Sequence, residues 1–166
     1  MEKPARLRLA AAALALTGAV LATASPAQGQ FSNRLAHDAA TCRGNGPAIR
    51  ITVSGVKASR GTLRVQLYRA TKADWLETGR WLNRIELPAR AGTMSVCMPA
   101  PQAGTYGIAI RHDINGNGET DLTQDGGGMS NNPSTNVFNL GKPSHSKVAF
   151  RLGQEVKAMS IRMRYM

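Results

Sequence analysis

The stretch Ile49-Arg50-Ile51-Thr52-Val53-Ser54 places an apolar side chain at every second position. Successive side chains of a strand point to opposite sides of a sheet, so this spacing describes a strand with one buried face. Leu63-Arg64-Val65-Gln66-Leu67-Tyr68 repeats the pattern. Further on, the same alternation runs through Tyr106, Ile108 and Ile110, through Val148, Phe150 and Leu152, and through Met159, Ile161, Met163 and Tyr165. Weaker versions span Ile85 to Leu87 and Met94 to Met98. Gly55, Gly61, Gly92, Gly104 and Gly153 punctuate these runs. About seven short strands with one apolar face each predict an all-β fold, a single antiparallel β-sandwich. No amphipathic helix interrupts them, and the stretch from Thr71 to Gly79 has room for one helical turn.

The segment before the first strand has a different composition. Lys3, Arg6 and Arg8 precede an apolar run from Leu9 to Ala22, followed by small residues at Ala22-Thr23-Ala24 and Ser25-Pro26-Ala27. This is the pattern of a cleaved signal peptide covering residues 1–27, too short to span a bilayer. Residues 28–47 are polar and read as an irregular leader, and 48–166 as the sandwich domain. An exported destination follows, periplasmic or extracellular, with no transmembrane segment in the mature chain. Removing the signal peptide leaves 18 basic and 9 acidic residues, a formal charge of +9. The surplus attracts anionic surfaces. Export argues against nucleic acid, leaving anionic envelope polymers, glycans or lipid head groups; a solvated face with no partner is the bland alternative.

Cys42 and Cys97 are the two cysteines. In an oxidising compartment an even pair suggests a disulfide. Met94, Val96 and Met98 share one strand face, so Cys97 points away from the core, where the leader carrying Cys42 can be stapled across the sheet. A catalytic or metal-binding thiol pair is the other reading.

One long connection carries chemistry. Residues 113–121 read D-I-N-G-N-G-E-T-D, the opening positions of an EF-hand-type calcium loop. Asp113, Asn115, Asn117, Glu119 through its carbonyl, and Asp121 supply hard oxygen donors. Gln124 stands where such a loop places its bidentate glutamate, and Asp125, one residue later, is a further candidate ligand. Ca2+ is therefore the expected cofactor, with weak affinity. The competing reading is a metal-free turn, since Asn-Gly pairs also favour hairpins. The glycine-rich stretch Gly126-Gly127-Gly128-Met129-Ser130-Asn131-Asn132-Pro133 follows. Trp75, Met129, Asn131 and Asn132 are candidate ligand contacts; a tryptophan at a strand junction also serves as a plug.

The runs Gly61 to Tyr68, Ala103 to Gly118 and Gly126 to Pro133, with a closing Val148-Ala149-Phe150, resemble a bacterial secreted family catalogued as domain of unknown function 2141. The resemblance covers roughly residues 48–165. It implies an exported Ig-like or prealbumin-like β-sandwich, similar also to carboxypeptidase-regulatory-like modules, and no established activity. The family pattern has an aromatic before the serine of the glycine-rich segment, where this chain has Met129.

Enzyme signatures are thin. His37, His112 and His145 are scattered without zinc-ligand spacing, and no G-x-S-x-G elbow is present. His112, on the face of Ile110, is expected to brace the loop. The sequence thus predicts a non-catalytic binding or envelope-associated accessory module. The alternatives are a purely structural domain held by calcium and a disulfide, and a calcium-dependent hydrolase.

Overall fold

The computed structural model describes residues 31–134 and 142–166. The expected signal peptide, residues 1–27, lies outside them. The protein is all-β, with ten strands in two sheets among the described residues. The larger sheet runs β1 (Asn33–Leu35), β4 (Asn83–Pro88), β3 (Thr62–Arg69), β6 (Gly104–Asp113), β7 (Gly126–Met129) and β10 (Arg164–Tyr165), with β8 (Phe150–Leu152) also paired to β6. The smaller runs β5 (Gly92–Pro99), β2 (Ala48–Val56) and β9 (Val156–Arg162). Among the described residues no helix is long and apolar enough to cross a membrane.

The alternating residues face one another as expected. Ile49, Ile51, Val53, Val96, Met98 and Ile161 from the smaller sheet meet Leu63, Val65, Leu67, Ile108 and Ile110 from the larger in one core. Burying each such side chain contributes about 1.5–3 kcal/mol, so a register slip that reversed either face would be costly.

Four expectations need correction. The pairing is not wholly antiparallel: β1 joins β4, and β9 joins β2, in parallel. Parallel neighbours need a long crossover between them, and both pairs are separated by many residues. The leader is not wholly irregular. Ser32 and Asn33 donate backbone hydrogen bonds to the carbonyls of Trp81 and Leu82, which dock β1 on the sheet edge. A 3-10 turn at Ala39–Arg43 follows, capped by Asp38 accepting from the Ala40 amide. Finally, the run from Met159 to Tyr165 is two strands. It breaks at Met163, whose N–H donates to the Ser54 carbonyl, and then crosses from the smaller sheet to the larger. Val148 likewise ends a single-turn helix, α1 (His145–Val148), instead of opening β8.

The cysteine face follows the alternation. Val96 and Met98 lie in the core, while Cys97 turns outward and forms a disulfide with Cys42, the Cα atoms 5.8 Å apart. Arg50, the cross-strand partner of Cys97, donates to the Cys42 carbonyl at 2.6 Å. The Cys97 amide donates to His37 Nε2 at 3.1 Å. The leader is thus fixed across the outer face of the smaller sheet.

Candidate functional site

The loop after β6 is closed by its own polar groups. Asp113 is buried at its root, and its two carboxylate oxygens accept the amides of Gly116 and Gly118, each at 2.8 Å. Gly116 and Gly118 both have positive φ, which lets the chain turn tightly over the carboxylate. The side-chain oxygens of Asn115 and Asn117 accept amides two residues on, from Asn117 and Glu119. Their Nδ2 groups both donate to Asp121 Oδ2, at 2.6 and 2.9 Å. Asn115, Asn117 and Asp121 therefore meet at one point. Glu119 itself is exposed. Asp125 is placed elsewhere. It is buried, and its oxygens accept the amides of Ile114 and Asp121, both at 3.1 Å, so it clasps the neck of the loop. Among the described residues no three His, Cys, Asp or Glu side chains stand together as a metal site. A calcium ion here would lean on the amide oxygens of Asn115 and Asn117 and on backbone carbonyls beside Asp113 and Asp121, a hard-oxygen set of the right chemistry.

His112 is fully buried, with Nε2 2.9 Å from the Arg60 carbonyl and Nδ1 2.7 Å from Tyr165 Oη. A carbonyl only accepts, so Nε2 carries a proton and donates to it, and Nδ1 shares a hydrogen bond with the Tyr165 hydroxyl. Tyr165 Oη in turn accepts the Lys57 amide at 2.9 Å. The histidine braces the loop root, and neither nitrogen is free for catalysis.

The glycine-rich segment forms β7 and then a junction. Ser130 is fully buried; its Oγ accepts from the Ile108 amide at 3.0 Å and donates to the Val148 carbonyl at 2.6 Å. Asn131 and Asn132 both have positive φ. Asn131 Nδ2 reaches the carbonyls of Lys147 and Ala149, while Asn132 bonds the Ser160 carbonyl and the Arg162 amide of β9. The two asparagines, candidate ligand contacts, are exposed and tie the segment to the α1–β8 junction and to β9.

Trp75, another candidate contact, sits inside the fold. Its ring is 7% exposed, packs edge-on to Tyr68, and donates from Nε1 to the Pro143 carbonyl at 2.9 Å. A Cβ at Gly107 would come within 2.8 Å of that ring, so glycine there makes room for the plug. With Tyr68, Ala109 and Val148 it covers part of the outer face of the larger sheet.

The same sheet carries a groove of about 650 Å³, whose lining includes Leu76, Met129 and Thr120 to Leu122 of the loop. Cross-strand register sets a row across it: Glu86 beside Arg64, Arg64 beside Arg111, Arg111 beside Gly127, and Gly127 beside Arg164. Like charges directly opposite one another are unfavourable. Glu86 binds Arg64 at 2.6 Å and has Arg34 and Arg84 at 3.8 Å, so one acid serves three arginines. Arg111 fastens the loop to the sheet, donating to Thr120 Oγ1 at 2.8 Å and to the Gly118 carbonyl at 2.7 Å. Its Nε is buried without a hydrogen-bond partner. Burial, and then the charge of Arg64, hold its guanidinium below the usual arginine range. Nothing in the period-two pattern marked this groove, because its arginines are the ordinary polar half of each strand; the register aligns them.

A family model described as "uncharacterized protein conserved in bacteria", DUF2141, matches residues 51–160. The chain belongs to the DUF2141 family. The matched span includes the loop, the Ser130-Asn131-Asn132 junction and most of the groove of this DUF2141 protein, while Cys42 and Arg164 lie outside it. No curated protein and no solved structure matches the chain. The DUF2141 description names no reaction.

Proposed function

We propose that the protein is an exported, non-catalytic binding module, periplasmic or extracellular, whose working face is the groove on the larger sheet and whose ligand is an anionic component of the envelope. The observation that carries this reading is the row Arg64, Arg111, Gly127, Arg164, whose three cations are partly offset by Glu86 beside Arg64 and by Asp113, 3.5 Å from Arg111. Packed face to face, the two sheets form a prealbumin-like sandwich that serves as the rigid support. Calcium, held by Asp113, Asn115, Asn117, the Glu119 carbonyl and Asp121, stiffens the loop that walls the groove. The apolar and basic lining, together with the full engagement of His112 and Ser130, supports binding over catalysis.

The test is equilibrium binding of the mature, oxidised protein to an acidic polysaccharide, polygalacturonate, against neutral dextran. Binding should be selective, weaken with salt, and fall at least tenfold in the Arg64→Gln/Arg164→Gln variant. No preference for the acidic polymer, with melting still responsive to calcium and to disulfide reduction, would instead favour the purely structural role.

A further inference from the structure

We propose that the groove receives a single-chain anionic amphiphile, an alkyl chain bearing a phosphate or carboxylate head, with Arg64, Arg111 and Arg164 at the head and Leu122, Met129 and Met166 along the chain. This rests on the basic-face reading and adds the class of ligand. Among the described residues the exposed large hydrophobic side chains are Leu122 (51%) and Met166 (67%), and both line this groove. A ligand that was only charged would leave them in water; apolar exposure gathered at a concavity marks a binding site.

The floor is bare backbone. Gly127 lies in register between Arg111 and Arg164, and a Cβ built there meets nothing within 4 Å. At Gly126 and Gly128 a Cβ would instead run into Tyr165 and Ile161. The space is therefore on the groove side, above Gly127. Two strand spacings separate Arg111 from Arg164, about 10 Å, a width that lets both guanidiniums straddle one head group. The groove volume of about 650 Å³ suits one small molecule rather than a membrane surface.

The experiment titrates the mature, disulfide-bonded protein by calorimetry with decyl and dodecyl phosphate below their micellar concentrations. Inorganic phosphate supplies the head alone, dodecyl maltoside the chain alone, and polygalacturonate a polyanion without a chain. Dodecyl phosphate should fill one site and bind roughly fifteenfold more tightly than decyl phosphate, from about fourfold for each of two fully buried methylenes. Gly127→Phe, at a position where a Cβ meets nothing within 4 Å, should weaken it at least tenfold with melting unchanged; Arg164→Gln, which also gives up bonds to the Pro133 and Asn132 carbonyls, should weaken it at least tenfold. Polygalacturonate binding without dodecyl phosphate binding overturns the amphiphile and leaves the basic-face reading intact. Equal binding of the maltoside, or no effect of Gly127→Phe, overturns the proposed placement. If none of the probes binds, both readings fall.

Discussion

Replacing Ser130 by alanine removes one oxygen and strands two backbone groups. In the native protein that oxygen takes the Ile108 N–H and gives its own proton to the Val148 carbonyl. Ile108, Val148 and Ser130 are all within the interior, at 0% exposure. The missing hydroxyl leaves a gap smaller than a water needs, so neither group finds a substitute. Each unpaired buried group costs about 1–3 kcal/mol, giving a loss of roughly 2–5 kcal/mol out of a total stability of about 5–15 kcal/mol. Urea unfolding of the oxidised protein measures it: the midpoint should fall with the slope unchanged, and the melting temperature should drop by about 6–20 °C. Ser146→Ala, on an exposed hydroxyl, should stay within about 0.5 kcal/mol. A loss below about 1 kcal/mol for Ser130→Ala would mean that the segment from Gly126 to Asn132 is not held by this junction, and the account of the groove wall would fail with it.

Three other perturbations separate the remaining claims. Calcium at about ten times its Kd should stabilise the protein by roughly 1.4 kcal/mol, with magnesium ineffective and Asn115→Ala removing the gain; superimposed melts in calcium and in chelator would leave the loop closed by its hydrogen bonds alone. Converting Cys42 and Cys97 to serine opens a closure 55 residues apart in sequence and should cost about 4 kcal/mol on the chain-entropy account, read by denaturant unfolding; a loss under about 1 kcal/mol would place the leader's anchoring in His37 and Arg50 instead. All three tyrosines, Tyr68, Tyr106 and Tyr165, have hydroxyls pushed up chiefly by burial. The folded state then keeps protons that the unfolded chain releases, so their contribution is full below about pH 10 and is lost as pH rises above it. Tyrosinate absorbance appearing in the folded protein near pH 10 would contradict this.

What the sequence disclosed followed from side-chain alternation. Ile49, Ile51 and Val53 identify a core face, and the same count turns Cys97 outward to meet Cys42. His112, placed by parity with Ile110, proved to brace the loop root. What stayed hidden lacked that signal. β7 is a strand of three glycines and a methionine, with almost no side chains to alternate. β1 is only three residues long, and backbone bonds to Trp81 and Leu82 place it. The break at Met163 is invisible because its side chain remains in the core on either side of the crossing. Trp75, Asn131 and Asn132 stand out as candidate contacts by residue type alone, while the partners that hold them, Pro143, Ala149 and β9, lie too far along the chain for a local pattern to show. The arginine row needed the register of four strands, which no single stretch contains.

Asn132 has one more consequence. β9 is the outermost strand of the smaller sheet, and outermost strands offer unpaired backbone groups to any passing chain. The Asn132 carboxamide accepts from the Arg162 N–H and donates to the Ser160 carbonyl, as a neighbouring strand would. One side chain thereby imitates a strand and occupies two of the positions through which a second molecule could extend the sheet. That is protection against self-association, supplied by a residue whose composition suggested a loop.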